Sequence, residues 1–248
     1  MKLSLVVLTF NRGETVREVM GHNLKNAGRK IDELIWVDNG SHDCVGEVMW
    51  KLEPDVTVIN RENLGVAKGY NRGIVLATGT HIIITGCDRF MPDGWASTFQ
   101  KYFESIPQTG LISCYSQPIE KVPERIRHNI ELVNGLPIQK AMPMEAKCFP
   151  REIIRDAGHL REDFGLYGWE DVEWSHRVER VCAEKGLITY TIPDFISKHQ
   201  GTEGVSPYDG VDNRDYHEFK RRESNDPHKA EMMNRCRMEG WKYYSPYV

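Results

Sequence analysis

Short apolar runs alternate with amphipathic stretches through the first half of this chain, and that alternation limits the fold more than any other feature. Residues 3–8 (LSLVVL) form an apolar run, as expected of a strand buried on both faces. Residues 34–37, 56–59, 81–85 and 111–114 repeat the pattern. Between them, Val16, Val19, Met20, Leu24 and Ala27 recur at helical spacing, and residues 66–78 and 95–103 also read as helices. Gly69 and Gly73 weaken the helix over 66–78 and mark close packing there. Strands alternating with helices predict an α/β fold, an open and mostly parallel sheet with helices on both faces.

Later segments read differently. Pro118, Pro123, Pro137 and Pro143 break up residues 115–147, which are expected to form a long connection with short strands. A helix pair over 151–185 and a strand over 187–192 follow. Beyond His199 the chain turns polar, with a helix expected around 228–238. Trp241, Tyr243, Tyr244 and Tyr247 are expected to pack on the domain.

The bulk numbers exclude several classes. A net charge of −4 gives no broad basic field for nucleic acid. No apolar run approaches the roughly 18 residues of a membrane span. The six cysteines form no C-x-x-C pair, so neither a zinc module nor a disulfide framework is expected. Reduced thiols fit a cytoplasmic protein, including one peripheral to a membrane.

Polar groups gather where the predicted strands end. Ligands of open parallel sheets bind at the carboxyl ends of strands. Here those ends carry Thr9-Phe10-Asn11-Arg12, Asp38-Asn39-Gly40-Ser41 and Gly86-Cys87-Asp88-Arg89. Asn11 and Glu14 have the spacing of a helix cap. A third acidic site lies in YGWEDVEW, residues 167–174. Trp174, Val178, Val181 and Cys182 define one apolar helix face, and stepping back from Trp174 puts Asp171 and Glu170 on its inward side. Glu173 falls off the stripe and is expected in solvent. Inward carboxylates are costly unless paired, metal-bound or set in a wet cleft. No G-x-G-x-x-G, G-x-x-x-x-G-K-[ST] or G-x-S-x-G is present. An acid-rich site without a nucleophile–base signature points to a metal-bridged phosphate substrate and a carboxylate base.

In order, these segments resemble the family 2 inverting glycosyltransferases with the GT-A fold. SLVVLTFNR is similar to the first strand, IWVDNGSHD to the V-D-N-G-S-x-D segment, and NRENLGVAKGYNRG to the N-x-G-x-x-x-x-x-N-x-G stretch. GLYGWEDVEW resembles the acceptor-side E-D motif, and ISKHQ a strand end offering a histidine. The resemblance implies a GT-A domain over residues 1–200, with a donor nucleotide-binding half (1–114) and an acceptor-side half (115–200). Residues 201–248 would be an extension. It implies that Asp38, with Thr9, Asn11, Lys68 and Asn71, meets a nucleotide-sugar donor. Asp88, with His199, would hold Mn²⁺ or Mg²⁺ on the donor pyrophosphate. Asp171 would be the catalytic base, and Glu170 and Trp169 would meet a glycan or glycoconjugate acceptor. Arg72, Arg89 and Lys198 are further candidate cations. The oligomeric state stays open. One departure stands out: the family's D-x-D reads Gly86-Cys87-Asp88, without its first acid. A non-catalytic nucleotide-sugar binder and a sugar nucleotidyltransferase are the alternative readings.

Overall fold

The structure is a computed structural model of the 248-residue chain. It describes residues 1–115, 129–140, 146–200, 222 and 225–247. At its centre is a nine-stranded sheet with strand order β3-β2-β1-β4-β9-β6-β10-β8-β7. The strands are β1 (Leu3–Thr9), β2 (Glu33–Asp38), β3 (Val56–Ile59), β4 (His81–Gly86), β6 (Thr109–Tyr115), β7 (Ile130–Val133), β8 (Leu136–Gln139), β9 (Lys147–Pro150) and β10 (Ile188–Ile196). A separate pair joins β5 (Arg89–Phe90) to β11 (Lys198–His199).

The first apolar run is divided between two cores by the two-residue period of a strand. Leu3, Leu5 and Val7 of β1 face one cluster, where they meet Val16 and Met20 of helix α1 (Gly13–Lys25). Val45 and Val48 of α2 (Val45–Lys51) and Trp95 and Phe99 of α4 (Trp95–Ser105) complete that layer. Val6 faces the opposite cluster, with Ala67 and Ile74 of α3 (Val66–Leu76), Ile153 of α5 (Glu152–Ala157) and Val178 of α6 (Glu170–Glu184). Both faces are covered, which is why the central strands carry few polar residues.

Gly69 and Gly73 are the residues that let α3 lie on β1. A Cβ at Gly69 would sit 2.4 Å from a Leu8 methyl, and one at Gly73 would sit 2.3 Å from a Val6 methyl.

Strands β3, β2, β1 and β4 run parallel. Strand β9 enters antiparallel between β4 and β6. The expected long connection hides a hairpin, in which β7 and β8 pair around Asn134 (φ 49°) and Gly135 (φ 77°). Two successive positive φ values make the tight turn that Asn-Gly favours. The expected cap at Asn11 is not formed. Asn11 and Arg12 are left-handed (φ 56° and 72°), and α1 starts without a side-chain cap from Arg12. Asp43 Oδ2 instead accepts from Gly13 N at 2.7 Å, from the neighbouring loop.

The C-terminal helix, α7 (Pro227–Met238), packs Met232 and Met233 against Phe164, Trp169, Val172 and Trp241. Among the described residues, no helix is long and apolar enough to cross a membrane.

Candidate functional site

Strand register brings the predicted acids to one edge. Thr9 pairs with Asp38, and Leu8 with Gly86, so β1, β2 and β4 end together. Asp38 is buried, and Ser41 closes back on it: Ser41 N lies 3.2 Å from Asp38 Oδ1, and Ser41 Oγ donates to the same oxygen. Ser41 Oγ also accepts from Asn11 N at 2.7 Å, and Asn11 Oδ1 accepts from His42 N at 2.9 Å. The Asn11 and Asp38 loops are therefore one knot. Thr9 is fully buried beneath it, its Oγ accepting from Trp36 Nε1 at 3.0 Å. Thr9 thereby supports Asp38 from below.

Asn71 is likewise engaged within the fold. It is fully buried in α3, donates to the Leu160 carbonyl at 2.8 Å and accepts from Leu160 N at 3.0 Å. Its amide is spent joining the two halves of the chain. Lys68 is exposed in the first turn of α3, and Arg72, also exposed, donates to Asn60. Arg89 lies on β5, while Lys198 on β11 is exposed.

Asp88 follows β4, and its Oδ2 lies 2.6 Å from Arg12 Nη1. Cys87 beside it is buried, which pushes its thiol up to about 12 and keeps it protonated. Strand β11 pairs His199 with Arg89, and Gln200 N donates to the Asp88 carbonyl at 2.9 Å. The backbone of His199 thus runs beside the Asp88 turn; its side chain lies outside the described residues.

These groups fit a divalent cation poorly. Hard cations take several oxygen ligands. Here the first acid of the family motif is Gly86, the middle residue is a protonated thiol, and the remaining carboxylate holds a guanidinium. Among the described residues no three His, Cys, Asp or Glu side chains cluster as a metal cage.

The third acidic site opens α6. Trp169 takes a left-handed conformation (φ 76°) and turns the chain into the helix. It packs half-buried beside Phe164. Glu170 and Asp171 then part company. Glu170 is only 4% exposed, and burial followed by the charge of Asp171 raises its pKa to about 7. The Asp171 side chain is 45% exposed, with Lys147 Nζ 3.7 Å from its Oδ2. Lys147 is itself buried on β9 and pairs across to Ile84, two residues before Gly86. It therefore links the α6 start to the β4 end.

The expectation for Glu173 is wrong: it is 1% exposed. Arg177 donates to both of its carboxylate oxygens at 2.7 Å and also reaches the His159 carbonyl at 2.6 Å. An apolar stripe shows one buried face of a helix, whereas α6 has a second one against residues 157–160. Trp174 is core, its Nε1 bonded to the Gly158 carbonyl at 2.9 Å.

Sequence reasoning missed two cations, Lys147 and Lys229. Lys147 had a signal: one charge in the otherwise apolar run Ala146-Lys147-Cys148-Phe149.

Comparison with known proteins gives the family and the fold. Residues 4–154 match the sequence profile described as Glycosyl transferase family 2. The chain belongs to that family. The matched region contains Asp38, Asp88 and Lys147 and ends before Glu170. Comparison with curated protein sequences gave no match. Among solved structures, the mannosyltransferase PcManGT from Pyrobaculum calidifontis, in complex with GDP-Man and Mn²⁺, is 21% identical with a TM-score of 0.62. The alignment covers 88% of this chain and 59% of that one. S. aureus TarS 1-349, in complex with UDP-GlcNAc, is 14% identical at a TM-score of 0.64, covering 88% and 64%. GalNAc-T7 with UDP, GalNAc and Mn²⁺ is 15% identical at 0.63, covering 84% and 46%. This chain therefore spans less than two thirds of each. The shared architecture is the GT-A fold, an open and mostly parallel sheet flanked by helices.

Proposed function

We propose that this chain transfers a sugar from a nucleoside-diphosphate sugar to a hydroxyl of a glycan or glycoconjugate, with inversion at the anomeric carbon. Family membership supports glycosyl transfer. The observation that carries the finer reading is Asp171: a half-exposed carboxylate 3.7 Å from buried Lys147, which pairs with Ile84 near the end of β4.

In this reading Asp38 meets the donor's base or ribose, held in place by Ser41 and Thr9. Asn11 shapes that pocket, and Lys68 faces the donor from α3. Asp171 takes the acceptor's hydroxyl proton as that oxygen attacks the anomeric carbon. The bond from that carbon to the phosphate oxygen breaks with its electron pair, and the nucleoside diphosphate leaves. Such a base contributes about 10²–10⁴-fold. Glu170 orients the acceptor, and Trp169 offers it a ring face. Residues 1–114 form the donor half and 115–200 the acceptor half. A divalent metal would rely on Asp88, together with His199 and the donor's own oxygens. The steps above depend only on the chain's own groups. The Arg12–Asp88 pair also favours a second reading, a nucleotide-sugar binder that has lost turnover.

Calorimetric titration with a panel of nucleoside diphosphates and their sugars, with and without Mn²⁺, tests the donor site. The expected result is tight binding of one nucleotide class, lost in Asp38→Ala. Failure of every nucleotide to bind overturns the proposal.

A further inference from the structure

Lys229 is the one charged residue on the buried face of α7. It lies three and four residues before Met232 and Met233, which pack into the cluster around Trp169. It is 5% exposed, and its Nζ donates to the Tyr167 carbonyl at 2.7 Å. Burying an ammonium is costly, and a helix that only needed to pack would place another methionine there. Tyr167 stands three residues before Glu170 in the turn that delivers the two acids.

The rest of the C-terminal segment anchors α7 to the acceptor-side helices. Trp241 stacks on His176 with ring centroids 4.4 Å apart, and its carbonyl accepts from Arg180 Nε at 3.1 Å. Farther on, the Tyr244 carbonyl accepts from His159 N at 2.9 Å. Resting on the transfer reading above, we propose that Lys229 is a positioning residue for Glu170, which makes α7 a working part of the acceptor site.

Among the described residues, the charges near the start of α6 come from three elements. Asp171 on its own helix opposes ionisation, and Lys229 from α7 favours it. Lys147 from β9 meets Asp171. Lys229 thus fixes the turn through the Tyr167 carbonyl and also lets a buried carboxylate accept a hydrogen bond from a sugar hydroxyl.

The test compares wild type, Lys229→Met, Lys229→Gln and Lys229→Arg in the full chain. The Glu170 carboxyl is followed by NMR with ¹³C-labelled glutamate, its resonance assigned with Glu170→Gln. Lys229→Met and Lys229→Gln should raise the Glu170 midpoint, and Lys229→Arg should restore it. The acidic limb of transfer activity should move the same way, with the donor KM within about twofold of wild type. An unchanged midpoint in either folded neutral variant overturns the proposal, as does Lys229→Arg behaving like Lys229→Met. If the midpoint moves but wild type transfers no sugar, the transfer reading fails while the Lys229–Glu170 link stands.

Discussion

Arg12 Nη1 lies 2.6 Å from Asp88 Oδ2, so the acid two residues beyond β4 is held by a guanidinium from the loop after β1. Both side chains are largely buried, at 8% and 17% exposure, where a charge-assisted bond is worth about 1.5–3 kcal/mol. A divalent ion on Asp88 has to displace that bond. Arg12→Ala should therefore tighten Mn²⁺ binding about tenfold in the presence of the bound nucleoside diphosphate, read by calorimetry. Asp88→Ala should abolish it. Equal Mn²⁺ affinity in wild type and Arg12→Ala would show that Asp88 plays no part in metal binding.

Glu170 should make the protein less stable as pH rises. Its folded-state pKa is raised from 4.5 to about 7, first by burial and then by Asp171. Between those values the folded protein keeps a proton that the unfolded chain has lost. Stability therefore falls as pH rises through that window and levels off above it. Glu170→Gln removes the effect. Its Tm should exceed that of wild type at pH 8, by an energy on the order of 2 kcal/mol, and the difference should shrink towards pH 4.5. Parallel Tm–pH curves for the two proteins would contradict the assigned burial of a titrating carboxyl.

Breaking the Glu173–Arg177 pair should be severe. Arg177 is fully buried, bonded at 2.7 Å to both oxygens of Glu173 and, in addition, to two backbone carbonyls. Removing one partner strands the other charge, which costs about 3–5 kcal/mol. Urea denaturation of Glu173→Ala should show a loss of that size. A loss below 1 kcal/mol would mean that water reaches the pair.

Gly73→Ala tests the seating of α3 on the sheet. The new Cβ would meet Val6 at 2.3 Å and Val37 at 3.1 Å, so the helix has to lift. A loss of about 1–3 kcal/mol is expected, although alanine favours helix. A stabilised Gly73→Ala would refute the close approach.

The parallel half of the fold was legible because β1, β2 and β4 are buried on both faces and written as apolar runs. The burial of Glu170 was legible because Trp174 and Val178 fix the phase of α6, but Asp171, expected on the same inward side, is half-exposed. What stayed hidden depended on distant partners. Glu173 looks solvent-facing until Arg177, itself bonded to the Ala157 and His159 carbonyls, is placed against it. Nothing near Asn71 in the sequence shows that Leu160, 89 residues away, meets its amide. The two buried lysines, Lys147 and Lys229, come from segments whose patterns give no hint that they converge on α6. The Asn134-Gly135 hairpin was readable in principle, since that dipeptide is a strong turn signal, but the surrounding prolines masked it.

The proposed role of Asp171 as the base of a sugar transfer is tested by turnover. With the nucleotide class known, the decisive measurement is transfer from the matching nucleotide sugar to an acceptor panel by wild type and Asp171→Asn, with donor affinity determined in parallel. The expected fall in kcat is about 10²–10⁴-fold, with donor binding unchanged. Transfer by folded Asp171→Asn at a rate near wild type would contradict it.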